Sequence, residues 1–77
     1  MKANARKAFN KLKKLGCPVR EWHHNDRGHF WIDAETNEGW LDYWSNYQGH
    51  DKLNEILTSH NLYWEWYNPG YGCVYDI

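Results

Sequence analysis

Apolar residues recur at helical spacing near the start of the chain. Ala5, Ala8, Phe9, Leu12 and Leu15 fall on one stripe, while Arg6, Lys7, Lys11, Lys13 and Lys14 take the opposite face. That pattern predicts an amphipathic helix over residues 3–15. Gly16 suits a left-handed stop, and Pro18 prevents continuation. Beyond it the period changes. Residues 19–24 and 29–35 read as strands separated by Asn25, Asp26, Arg27 and Gly28, a turn composition. Pairing His24 with His29 sets Trp22 opposite Trp31 and Arg20 opposite Asp33 on one side, with His23, Phe30 and Ile32 on the other. A bulge at Gly28 would shift that register by one.

A second turn over residues 36–39 leads into 40–44, where Trp40, Asp42 and Trp44 alternate with Leu41 and Tyr43. This reads as a third strand, or as a short helical turn. Asp51 is expected to cap a second helix running to about residue 60, with Leu53, Ile56 and Leu57 buried and Asn61 as its left-handed stop. Residues 62–67 and 72–77 form a closing hairpin, in which Pro69 then Gly70 suit the centre of a type II turn. Its apolar face is expected to carry Leu62, Trp64, Trp66, Cys73, Tyr75 and Ile77. Tyr63, Glu65, Tyr67 and Asp76 take the other face. The expected fold is a compact single α+β domain over residues 1–77, in the order α-β-β-β-α-β-β. A mainly antiparallel sheet would carry two helices on one face. At a spacing of 44 residues Glu21/Glu65, Trp22/Trp66 and Gly28/Gly72 match and Trp31/Tyr75 is similar, suggesting an αββ duplication.

Composition adds one strong feature. Fourteen of the 77 residues are aromatic, six of them Trp and six Tyr. Large rings help a domain this small to bury enough surface, yet so many leave a surplus for contact with something else. Trp64, Trp66 and Tyr75, with Trp22 and Trp31 by the repeat, are assigned to the core. Trp40, Trp44, Tyr63, Tyr67 and Tyr71 are the surplus, a candidate partner-binding surface.

Charge is split along the chain. Residues 1–27 hold eight Lys/Arg against two acids, +6, and residues 28–77 hold Lys52 against eight acids, −7. The rings therefore sit among acids, whereas aromatics interleaved with Lys and Arg would mark a nucleic-acid binder. Single-stranded nucleic acid remains the alternative partner, held by Arg6, Lys7, Lys11, Lys13 and Lys14 and by exposed rings. A protein partner fits better, because interface cores are rich in Trp and Tyr and poor in Lys and Glu. An exposed strand edge also invites a homodimer.

Chemistry-bearing motifs are sparse. His23, His24 and His29 could converge on zinc with Cys17 or Cys73, but their spacing matches no Cys/His motif, and adjacent strand residues point to opposite faces. There is no phosphate-cradling loop, nucleophile elbow or HExxH sequence. Glu21 and Glu65 could form a carboxylate pair, although outward-facing strand acids are the simpler account. The expectation is a non-enzymatic binding protein without a cofactor. With no bilayer-length apolar run and only two cysteines, the expected setting is the cytoplasm, with reduced thiols or a single bridge. The closing run LYWEWYNPGYGCVYDI, following a short amphipathic helix, resembles small proteins of tailed bacteriophages, particularly those of marine cyanobacteria. That resemblance implies an intracellular protein acting in an infected host by binding a host or phage factor.

Overall fold

The computed structural model describes residues 1–23, 27–36 and 38–77. Its elements are α1 (Ala3–Lys14), β1 (Val19–Arg20), β2 (Phe30–Asp33), α2 (Asp51–Ser59), β3 (Leu62–Asn68) and β4 (Tyr71–Asp76). The four strands form one antiparallel sheet in the order β1-β2-β4-β3. Two hairpins lie side by side, and both helices cover the same face. The α+β reading of the sequence therefore holds.

Helix α1 buries Ala5, Ala8, Phe9 and Leu12, as the stripe requires. Leu15 departs from expectation: it is the C-cap residue, and its side chain is exposed. Gly16 follows at φ 90°, where its N–H donates to the Lys13 carbonyl and the Cys17 N–H to the Leu12 carbonyl. This is a Schellman stop, which satisfies carbonyls the helix end would otherwise leave open. Lys11, Lys13 and Lys14 in the last turn complement the helix dipole. In α2 the cap is His50, one residue before the expected Asp51; its Nδ1 accepts the Lys52 N–H at 3.0 Å. Asn61 at φ 60° ends that helix as predicted.

The core lies between the helices and one sheet face. Phe9 meets Phe30 edge-on at 5.1 Å between ring centroids. Val19, Phe30, Ile32, Leu62 and Val74 from the strands pack with Leu53, Ile56 and Leu57 from α2. Trp40, Trp64 and Trp66 rim this cluster as partly buried rings.

Residues 40–44 form no sheet strand. The expected third strand is replaced by a tight loop, with a single antiparallel bridge between Asp42 and Asn46. Asp42 explains this, since its Oδ1 accepts the backbone N–H groups of both Trp44 and Ser45. A short polar side chain that captures its own backbone offers the chain an alternative to a ladder.

The first hairpin pairs Val19 with Ile32 and Arg20 with Trp31, two residues from the expected register. A two-residue shift preserves which face each side chain takes, so Arg20, Trp22, Trp31 and Asp33 do share a side. The expected His24–His29 pair lies outside the described residues.

The closing hairpin differs more. A bulge at Tyr67 separates the Trp66–Gly72 pair from Asn68–Tyr71, and one extra residue in β3 inverts the faces of β4 relative to β3. Val74 thereby enters the core in place of Cys73 and Tyr75, while Ile77 is left exposed. The αββ order does repeat, but the 44-residue correspondence does not survive in space. Trp22 packs on the face away from the helices, and Trp66 lies on the helix side.

Candidate interaction surface

The inversion of β4 builds the most distinctive surface of the molecule. Trp31 of β2 lies opposite Cys73 of β4, which lies opposite Glu65 of β3. Asp33 faces Tyr71, and Tyr75 faces Tyr63. Because side chains alternate along each strand, all of these project from the sheet face that no helix covers.

The rings on that face form a connected array. Trp22 lies 5.9 Å from both Trp31 and Tyr71, and Trp31 lies 5.3 Å from Tyr71. Tyr67 stacks on Tyr71 at 5.0 Å and 17°. The Tyr67 ring also carries the Arg27 guanidinium 4.7 Å from its centroid, within cation–π range. Tyr63 and Tyr75 make a second pair at 5.7 Å. Edge-to-face and offset stacking of this kind fixes ring orientation as well as burying area. Burial raises the phenol pKa of Tyr71 and of Tyr75, with further increases from Tyr67 and Cys73 respectively, so both hydroxyls stay neutral donors.

Electrostatically the face is mixed. Arg20 approaches Asp33 at 3.6 Å, while Glu65 and Arg27 act with opposite sign on Tyr75, the carboxylate raising its pKa and the guanidinium lowering it. The segregation of charge along the sequence therefore breaks down in space: two arginines from the basic part stand on the same face as rings from the acidic part. Trp22, Trp31, Tyr75, Arg20 and Arg27 are members of the face that pattern reasoning placed elsewhere or left out. Their signal was the alternation of the first hairpin together with a bulge that composition does not announce.

Of the five residues expected to bind a partner, the structure gathers only Tyr63, Tyr67 and Tyr71. Trp40 packs against the core and against His50, 5.0 Å away. Trp44, at 83% relative exposure, belongs to a separate cluster with Tyr43, which in turn contacts Tyr47 and Trp66 at the β3 edge. The basic residues of α1 stand on the helix side of the sheet. Arg6 binds Glu21 at 2.8 Å, and both Arg6 and Lys13 reach over Phe9. Lys7, Lys11 and Lys14 are exposed.

The other sequence candidates are dispersed. His29 bonds Asp76 through Nε2 at 3.0 Å, His23 is exposed, and His24 lies outside the described residues. Among the described residues no group of His, Cys, Asp or Glu is arranged to hold a metal. Glu21 is engaged by Arg6 on the helix side, whereas Glu65 stands on the open face, so the two carboxylates make no pair. Cys17 and Cys73 are free, buried thiols. Burial and nearby Glu38 push the Cys17 thiol up to about 12; burial also raises Cys73. No described helix is long and apolar enough to cross a membrane. Compared with known proteins, the chain matches no family model, no curated protein and no solved structure.

Proposed function

We propose that this chain is a non-enzymatic binding protein that engages a protein partner through the open face of its sheet. One observation carries the reading: Trp22, Trp31, Tyr67 and Tyr71 form a mutually packed array on a face left bare while both helices cover the other. Rigid aromatic anchors with few rotatable bonds, set among sparse and balanced charges, have the make-up of an interface core. None of the strand and ring residues placed on this face is a lysine, in keeping with the depletion of Lys in interface cores.

A second reading rests on Arg27 over Tyr67 beside the two tryptophans. Guanidinium and ring planes on an open antiparallel sheet are a platform on which unpaired bases stack. The near-neutral charge of the face favours protein, since backbone phosphates need a cationic surround.

Capture from host lysate, read by mass spectrometry, tests the choice. A partner retained by the native chain and by Trp44→Ala, but lost on Tyr67→Ala and Trp31→Ala, supports the open face. Retention by all three variants overturns it. Short single-stranded oligonucleotides that bind with a steep salt dependence would promote the second reading over the first.

A further inference from the structure

We propose that the chain pairs with a second copy of itself along the free edge of β3, antiparallel and about a two-fold axis at Trp64. The two four-stranded sheets would join into one. This contact is made by the backbone edge of β3 and draws only Tyr63 and Glu65 from the open face, so it stands or falls independently of the Trp22, Trp31, Tyr67 and Tyr71 array proposed above.

The two edges of the sheet are unequal. β1 offers two residues and β3 seven, Leu62–Asn68, with neither Lys nor Pro among them. Short length, lysine and proline are among the usual protections of an edge; β3 lacks these three, and its bulge at Tyr67 leaves residues 62–66 as the open template. The Ile77 N–H donates to the Asn61 carbonyl at 3.0 Å. The alternation of an antiparallel ladder then turns the N–H and C=O of Leu62, Trp64 and Trp66 away from β4. They face a groove of about 570 Å³ between β3, α2 and the 47–48 segment. Apart from Glu65, no residue lining that groove is charged.

Two independent constraints select the same register. Asn61 turns the chain at φ 60° just before β3, and the bulge at Tyr67 interrupts it at the other end. The regular window is residues 62–66, and its middle is Trp64. Centred there, Leu62 of each copy opposes Trp66 of the other and Trp64 opposes itself, with about six backbone hydrogen bonds between the chains. On the open face, Tyr63 then opposes Glu65 of the second copy, so a phenol O–H can donate to a carboxylate. An axis at Glu65 would instead set two carboxylates directly against each other, which is destabilising. The register that uses the whole window also avoids the charge clash. That self-complementarity identifies the occupant as a second copy.

Sedimentation equilibrium on the full chain, over a concentration series, tests this. The native chain should show a concentration-dependent dimer. Tyr63→Glu places a carboxylate opposite Glu65 twice per dimer and should raise the dissociation constant about tenfold. Tyr63→Lys creates two opposite-charge pairs and should leave the dimer as tight or tighter. Adding Glu65→Lys to Tyr63→Glu should restore association. Position 63 is on the open face, and far-ultraviolet circular dichroism checks that each variant keeps its fold. A native chain that is monomeric throughout overturns the proposal and leaves the edge for a strand of another protein. A dimer indifferent to the 63/65 charge pair also overturns it, because the contact then lies elsewhere.

Discussion

Two glycines show how closely the sheet and its loops approach. A Cβ added at Gly72 would stand 2.8 Å from the Cε3 of Trp64, with the Glu65 carbonyl also near. At Gly28, φ is 82° and a Cβ would collide with the backbone carbonyl of Val74. Gly28→Ala should therefore cost more than about 1 kcal/mol, combining left-handed strain with a clash that backbone cannot relieve. Gly72→Ala should cost less, since a ring edge can shift; urea denaturation of the two variants checks the order. Residue roles were only partly legible beforehand. The buried stripes of both helices, Gly16 and Asn61 announce themselves by spacing and by φ preference. Ring burial does not, because Trp and Tyr suit a core, a rim or an open face equally well. None of the six tryptophans is fully buried, and the core is built mainly from Phe9, Phe30, Ala, Leu, Ile and Val instead.

At the scale of the element, the bulge at Tyr67 decides which residues are structural and which are available. Removing side-chain volume tests it directly. Val74→Ala should destabilise by about 2 kcal/mol through lost burial and a residual cavity. Ile77→Ala, at a position three-quarters exposed, should stay within about 0.5 kcal/mol. The opposite order would mean that the hairpin pairs without its bulge. Reading strand faces from alternation assumes an unbroken ladder, and a single inserted residue reverses every assignment beyond it. The first hairpin escaped this because its register moved by two, which leaves faces unchanged. The 40–44 segment failed for a different reason. Its alternation was genuine, but the Asp42 carboxylate, held below its usual pKa by the Ser45 and Trp44 N–H groups, fixed a turn where a strand would have been.

For the whole molecule, the ends of the chain meet at one polar node. Asp76 near the C-terminus accepts from Lys2 before α1 and bonds His29 before β2. The hydrogen bond to His29, then that to Lys2, holds the Asp76 carboxyl below the usual range. A depressed carboxyl stabilises the fold above its unfolded pKa of about 3.9 and loses that contribution as pH falls through the lower folded value. The midpoint of urea denaturation should thus fall more steeply below about pH 4 for the native chain than for Asp76→Asn. Parallel curves would show that the node adds nothing. The two thiols extend the same idea of the molecule reporting on itself. Cys17 belongs to the core under the helices, whereas Cys73 is sealed beneath the aromatic face between Trp31 and Glu65. Both thiols are buried, so each should react with a thiol reagent only when its own side opens, which would give the chain two built-in clocks, one per face of the sheet. A partner seated on the open face should slow the Cys73 clock and leave that of Cys17 running at its former rate.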